Sequence, residues 1–356
     1  MTFRVLLTDP VSDQRSLVSV VVATYEDVQF TSRCLASLEA QTYAPLEIIL
    51  VDNGSHDDIA AHMAIEFPRC IILRNERNSG FAGGYNRGIS EAKGRYVAIL
   101  NNDAVADPAW IASMVEVAEC HPGLGAVAAL VVDGYRPDVL DSWGLGIALD
   151  GMSRQVGTGR RVDEALPEME VLAASGCACL FDAGALAQVG LFDESFFAYC
   201  EDVDLALRLR WAGYKVLLAP SARVLHYHSM TAGRFSAQKV FWVERNHFWV
   251  ALKNFPLPLL LLVPVTTLWR YALQLTAVLA HRGEVGEFSS QQGVGALAAA
   301  VLRAYISCLA GLPRVLRQRR AVMRSARVPW SAMLRMILRF RLSLSDVLRS
   351  DVRTKT

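Results

Sequence analysis

Val18-Ser19-Val20-Val21-Val22-Ala23 is a short run dominated by valine, and it stops at Thr24-Tyr25-Glu26. An unbroken β-branched run of this length predicts a strand buried on both faces, as in a parallel sheet. Phe30, Cys34, Leu35 and Leu38 then recur at helical spacing. The pattern repeats. Leu46 to Val51 reads as a second buried strand and ends in Asp52-Asn53-Gly54-Ser55. Cys70 to Leu73 reads as a third strand, Tyr96 to Leu100 as a fourth that ends in Asn101-Asn102-Asp103, and Gly125 to Val132 as a fifth. Pro108, at a favoured first-turn position, opens the intervening helix. Strands alternating with helices predict an α/β fold with a mainly parallel sheet and helices on both faces. Such sheets take ligands at the carboxyl ends of their strands. Here the polar residues collect at those ends, which points to a nucleotide-type ligand.

Further along, Phe196-Phe197-Ala198-Tyr199-Cys200-Glu201-Asp202-Val203-Asp204 places three carboxylates directly after an aromatic cluster. Asp204 and Arg208 stand four apart, so they can pair on one helix face. Val203, Leu207 and Arg210 continue the helix, and Gly213 ends it. Glu201 and Asp202 are thereby held at a helix N-terminus against apolar surface. That environment suits a general base, although acids also favour a first helical turn for electrostatic reasons alone.

Other motifs are weaker singly. Asn101-Asn102-Asp103 offers hard oxygen ligands for Mg²⁺ or Mn²⁺, but an Asx-rich turn would have the same composition. Asp52-Asn53-Gly54 either contacts a base or ribose or simply turns. Asn78 to Gly84 reads as a glycine-rich loop leading into a helix that ends at Ala92. Its glycines do not match a dinucleotide fingerprint. His226-Tyr227-His228-Ser229 ends an apolar strand with two imidazoles on one side, placed for a metal or a phosphate. The glycine-rich stretch 134–172 reads as a long mobile loop region near a site. The seven cysteines show neither zinc-ligand spacing nor an even count, which suits a reducing compartment.

The order of these pieces resembles the family 2 glycosyltransferases of GT-A type, and most closely their rhamnosyltransferase-like branch. The carrying residues are Val20-Val21-Val22-Ala23-Thr24-Tyr25, Val51-Asp52-Asn53-Gly54-Ser55, Asn78-Ser79-Gly80-Phe81-Ala82-Gly83-Gly84-Tyr85-Asn86, Leu100-Asn101-Asn102-Asp103, Ser175-Gly176-Cys177, Phe197 to Leu205, and His226-Tyr227-His228. They cover about residues 17–255. The resemblance implies a GT-A catalytic domain over 17–254, with a donor-binding half at 17–133 and an acceptor and catalytic half at 134–254. It implies inverting transfer of a sugar, best read as L-rhamnose from dTDP-rhamnose, to a saccharide or polyprenyl-linked saccharide of the cell surface. UDP-hexose or galactofuranose transfer is the alternative, and a non-catalytic nucleotide-sugar-binding protein is the alternative of another class. By the same resemblance, Asp202 is the base and Glu201 supports it. Thr24, Tyr25, Glu26, Asp52, Asn53, Asn78, Gly80, Phe81, Gly83, Asn86, Asn101 and Asn102 fall on the donor side. Asp103, with His226 and His228, would hold a divalent metal, and Trp143, Gly176 and Cys177 fall on the acceptor side. Asn101 stands where the family's metal motif often has an acid, and Glu26 where it often has Asn.

Composition separates the rest of the chain. Residues 1–16 read as a lead-in without a signal pattern. From Leu252 onward 16 Lys/Arg stand against 4 Asp/Glu, whereas the preceding part carries 20 against 31. The whole chain is 53% hydrophobic with a mean hydropathy of +0.26. The apolar run from Phe255 to Trp269 is interrupted by Pro256, Pro258 and Pro264 and followed by Arg270. It reads as a membrane-spanning, interfacial or ordinary buried helix. Val294 to Leu316 is a second apolar stretch, closed by Arg317-Gln318-Arg319-Arg320, which would face lipid phosphates. Residues 255–356 are therefore expected to form a basic helical tail. It would hold a cytoplasmic enzyme at the inner face of the membrane rather than on nucleic acid.

Overall fold

The computed structural model describes residues 15–162, 166–228, 236–279, 293–343 and 346. Most of the 1–16 lead-in and Ser229 lie outside the described residues. The first half alternates strand and helix: β1 (Val18–Thr24), α1 (Val28–Glu39), β2 (Leu46–Asp52), α2 (Ile59–Glu66), β3 (Ile71–Arg74), α3 (Gly80–Ile89) and β4 (Tyr96–Leu100). β5 (Ala104–Ala106), α4 (Trp110–Cys120) and β6 (Leu124–Asp133) follow. Pro108 precedes the cap residue of α4 rather than opening the helix.

Two differences from the sequence reading stand out in this half. The stretch from Asn78 to Gly84 is not a loop, because α3 begins at Gly80. Its glycines serve packing. A Cβ at Gly88 would lie 2.3 Å from Val21 Cγ1, so only glycine lets α3 settle onto β1. The 134–172 region is likewise held by short strands: β7 (Leu140–Ser142), β8 (Leu145–Ile147), β9 (Ser153–Gln155) and β10 (Met169–Glu170). β7 pairs with β6, β10 pairs with a later strand of the sheet, and β8 with β9 forms a small ribbon. β7 and β8 are buried throughout, so the loop expectation fails there for want of solvent contact.

β11 (Ala178–Asp182), α5 (Ala183–Val189), a 3-10 turn (Glu194–Phe196), α6 (Glu201–Trp211) and β12 (Lys215–His226) follow. The strand order of the main sheet is β10-β12-β6-β11-β4-β1-β2-β3. β4, β1, β2 and β3 are mutually parallel, as are β6 and β12, and β11 runs antiparallel between β4 and β6. The inserted β11 brings Cys177 and Gly176 back to the carboxyl end of β4, since Ala178 pairs with Leu100. One apolar layer joins the sheet to α1, α2 and α4, and a second joins it to α3, α5 and α6.

The last helices are α7 (Ala237–Asn254), α8 (Leu257–Leu279), α9 (Val294–Ser325) and α10 (Trp330–Arg339). Pro258 falls in the first turn of α8, where its missing N–H costs nothing, and Pro264 is carried inside the helix. The segment beyond 255 shares a core with α6: Leu207 and Trp211 cluster with Phe255, Leu259, Val315, Met333 and Ile337. Trp211 Nε1 donates to Asn254 O at 2.8 Å, and Arg319 donates to Leu252 O at 3.0 Å across the 254/255 boundary. Arg270 is fully buried within the protein. It donates to Asp150 Oδ2 at 2.6 Å and to both oxygens of Glu244 at 2.8 and 3.0 Å.

Candidate active site

The carboxyl ends of β1, β2 and β4 meet the N-terminus of α6 and the end of β12. Asp202 lies in the first turn of α6. Its Oδ2 accepts from Gly176 N at 3.2 Å and its Oδ1 from Val203 N at 2.8 Å. Burial pushes its carboxyl above the ordinary value, and those two amides partly oppose the rise. Phe81 closes the same wall, because a Cβ at Gly176 would lie 2.8 Å from Phe81 Cζ. Glu201 points into the interior instead. Its Oε2 is buried without a hydrogen-bond partner, and burial, reinforced by the Asp202 charge, pushes it well above the carboxylate range.

On the opposite side Asp103 approaches His226, with 3.3 Å between Oδ1 and Nε2. The other imidazole nitrogen, Nδ1, bonds Asp141 Oδ2 at 2.9 Å, and His228 Nε2 lies 3.1 Å from that oxygen. The two imidazole centroids are 3.6 Å apart, a proximity reached although His228 lies past the strand end at φ 52°. Asp141, His226 and His228 offer donor atoms within 4.8 Å of one another. Burial opposes the charges here, but hydrogen bonds from His226 and His228 hold Asp141 well below the usual carboxylate range. Asp141 was missed by the sequence reading, since a lone acid in Leu140-Asp141-Ser142 has no motif spacing and lay in the stretch read as loop. Imidazole and carboxylate together suit a divalent ion such as Mn²⁺, so the set Asp141, His226 and His228 fits a metal, with Asp103 beside His226.

The donor-side residues divide into two groups. Thr24 Oγ1 and Thr31 Oγ1 lie 2.7 Å apart, and Asn102 Nδ2 donates to both, at 3.3 and 3.4 Å. Asp52 is fully buried at the end of β2. Its Oδ1 accepts from Ser55 N at 3.0 Å, and its Oδ2 lies 3.3 Å from Arg74 Nε. Glu26, at φ 59°, accepts from His56 N at 2.9 Å and lies against the His56 ring, beside Tyr25. The His56 amide chiefly, with the ring, lowers the Glu26 carboxyl.

The other group has its polar atoms bound up inside the protein. Asn53 Oδ1 accepts from Asn75 Nδ2, Ser79 N and Ser79 Oγ, while its Nδ2 donates to Gly80 O and Asn78 Oδ1. Asn78 Oδ1 also accepts from Gly80 N at 2.8 Å. Asn86 joins α3 to Phe192 and Glu194. Asn101 Oδ1 accepts from Tyr85 OH at 3.0 Å. Asn101 Oδ1 thus turns toward the buried Tyr85 hydroxyl, while Asn102 reaches Thr24 and Thr31. Gly83 is packed against Ser79 inside the helix, whereas Gly80 at φ +73° lets Phe197 O approach. Among the acceptor-side residues, Gly176 sits beside Asp202, and the Cys177 thiol is buried next to His226, with burial chiefly raising it. Trp143 instead packs on Gly157 and beneath the Arg160 guanidinium at 5.3 Å.

Sequence comparison accords with this geometry. Residues 19–149 match Glycosyl transferase family 2, and residues 96–313 match Glycosyl transferase family group 2. A Mycobacterium tuberculosis N-acetylglucosaminyl-diphospho-decaprenol L-rhamnosyltransferase is 31% identical over 266 residues, which is 65% of this chain and 86% of that protein. A Staphylococcus epidermidis poly-beta-1,6-N-acetyl-D-glucosamine synthase is 26% identical over 73% of this chain and 63% of that protein. The fold matches GalNAc-T7, solved with UDP, GalNAc and Mn²⁺, at a TM-score of 0.56 and 18% identity, over 68% of this chain and 48% of that one. It also matches the Pyrobaculum calidifontis mannosyltransferase PcManGT with GDP-Man and Mn²⁺, at a TM-score of 0.51 and 19% identity, over 92% of this chain and 87% of that one. With a GT-A sheet whose strand ends meet Asp202 on α6, the chain belongs to the family 2 glycosyltransferases, enzymes of nucleotide-sugar transfer.

Proposed function

We propose that the chain is an inverting rhamnosyltransferase, taking L-rhamnose from dTDP-rhamnose to a saccharide carried on a polyprenyl diphosphate. The observation that carries this reading is the 31% identity to the mycobacterial rhamnosyltransferase over 86% of its length. Asp202 is the base in this proposal. Its raised carboxyl is oriented by Gly176 N, and it takes the proton from the acceptor hydroxyl as that oxygen attacks the anomeric carbon. Thr24, Asn102 and Asp52 form the nucleoside side of the crevice. Asp103, His226 and His228 would hold a divalent ion, which, when bound, would neutralise charge on the departing diphosphate. Asp141 orients His226 through Nδ1, as a carboxylate commonly does behind a ligating histidine. Gly176 and Cys177 flank the acceptor side, and we keep 17–133, 134–254 and 255–356 as donor half, catalytic half and membrane-facing segment.

Membrane docking belongs to the same proposal. Thirteen of the sixteen large exposed apolar side chains among the described residues lie at Leu257 or beyond, including Leu261, Leu268 and Leu309. α8 and α9 are long and apolar enough to cross a membrane by length and composition, though buried helices of a soluble protein meet the same criterion. Their packing on α6 and α7 favours lying at the surface of the inner leaflet, where a lipid-linked acceptor would be met. A second reading, hexose transfer from a UDP-sugar, is favoured by the similarity to the poly-N-acetylglucosamine synthase.

The test is a binding and turnover screen of the full chain in lipid nanodiscs against dTDP-rhamnose and a UDP-sugar panel, with and without Mn²⁺ and Mg²⁺. The expected result is turnover of dTDP-rhamnose only, with the Asp202→Asn variant still binding dTDP but losing at least about 1,000-fold in kcat. Selective use of a UDP-sugar would replace rhamnose. Full activity of the Asp202 variant would remove Asp202 from the base role.

A further inference from the structure

Three of the five residues in front of α6 are unusually conformed. Phe197, Tyr199 and Cys200 have φ of 65°, 70° and 68°, a region that non-glycine residues seldom occupy. Three such residues within four positions persist only where the surroundings over-determine them. The surroundings are supplied by α7. Asn246, fully buried, donates through Nδ2 to Phe196 O at 3.0 Å, Ala198 O at 2.9 Å and Tyr199 O at 2.8 Å. Arg245 donates to Ser195 O at 3.1 Å and Phe196 O at 2.9 Å, and its Nε holds Asn246 Oδ1 at 2.9 Å. Trp242, one turn earlier, stacks on Phe197 with ring centroids 4.9 Å apart. Phe197 O in turn accepts from Ala82 N at the start of α3.

We infer that Asn246, oriented by Arg245, is a positioning residue for Asp202: its amide holds the strained 196–200 turn and thereby sets where α6 begins and where the base points. The inference rests on Asp202 being the base. Among the described residues, the Asn246 side chain bonds backbone oxygens of the turn and the Arg245 side chain, so its effect reaches the reaction through the start of α6. The geometry explains why an amide is needed there. Three carbonyl oxygens converge on one amide nitrogen, which shares its two N–H groups among them while its oxygen accepts from a guanidinium. A carboxylate of the same size would present oxygen to oxygen.

Asn246→Asp in the full-length chain tests this in two ways. Hydrogen exchange of the 196–202 amides is expected to quicken about five- to tenfold, since each net hydrogen bond is worth about that factor. That arm requires no substrate, and unchanged exchange would overturn the inference by itself. With dTDP-rhamnose and an N-acetylglucosaminyl-diphospho-polyprenol, kcat is expected to fall roughly 100-fold, the size of a small misplacement of a catalytic group, with dTDP affinity unaltered. In an Asp202→Asn background the same substitution is expected to change the residual rate no further. An undiminished kcat, or a further loss in that background, would sink the inference while leaving the Asp202 base untouched. An Asp202→Asn variant with full turnover would instead remove the reading it rests on. Should Asn246→Asp fail to fold, Asn246→Ser keeps one donor and is measured in the same way. Parallel loss of dTDP binding and turnover in it would show a purely structural role and overturn the proposal.

Discussion

Two adjacent carboxylates show how much environment decides at the residue scale. Asp202 and Glu201 are neighbours in sequence, yet one is hydrogen-bonded at the edge of the crevice and the other is shut in the interior with an unpartnered oxygen. The sign of the stability effect follows for Glu201. Its folded-state pKa lies above its unfolded value, so between the two the native state binds more protons, and stability falls as pH rises through that window. Glu201→Gln is expected to abolish this decline and to raise the melting temperature at pH 7–8 relative to wild type, with little change near pH 4. Thermal melts of both proteins across that range check it, and a lower melting temperature for the variant at pH 8 would contradict the assignment. Asp202 carries a milder rise of the same sign, so the acidic limb of kcat should lie above the range of an ordinary exposed carboxylate. The acid motif was legible in the sequence because three carboxylates crowd a helix start. The division of roles was not legible, because it depends on which way each side chain leaves the first turn.

At the scale of single elements, α3 is the instructive case. Gly80, Gly83 and Gly84 read as a loop, since glycine lowers helix propensity by about 1 kcal/mol relative to alanine. Tertiary packing overrides that preference, because the helix lies against β1 at a distance no Cβ would allow. Gly88→Ala is expected to destabilise the protein by about 1–3 kcal/mol, the usual cost of overpacking. Equilibrium urea unfolding measures it. A neutral result would mean that Val21 yields without strain. β7 teaches the converse lesson. It is a three-residue strand in a glycine-rich stretch, too short to signal itself, and it delivers Asp141 to the two histidines. The cluster Arg317-Gln318-Arg319-Arg320 also divides once α9 is packed. Arg319 donates to Leu252 O and Phe255 O, and Gln318 donates to Asp193, so only Arg317 and Arg320 remain exposed for lipid phosphates.

For the whole molecule, the separation of charge and of apolar surface predicts where the enzyme works. Replacing both Leu261 and Leu268 with aspartate is expected to weaken binding to anionic vesicles by at least about tenfold, given what burying each leucine contributes. Turnover of a water-soluble acceptor analogue should be unaffected. Vesicle co-sedimentation together with that assay tests the docking face, and undiminished sedimentation would place the contact elsewhere. The sequence by itself determined that β1 to β4 are buried strands alternating with helices, that their ends are polar, and that a helix starts at Glu201. All of these are local: strand burial shows in runs of valine and isoleucine, and a helix start shows in its acids. Only the tertiary structure decided the rest, namely the antiparallel β11 that returns Gly176 to Asp202, the joining of Asp141 to His226, and the Asn246 clamp. The same holds for Arg270, which reads as an interruption of an apolar run and is in fact buried between Asp150 and Glu244. Each of these joins residues tens to more than a hundred positions apart. Such contacts leave no periodicity in the chain, because they arise from packing whole elements against one another rather than from the spacing of neighbours.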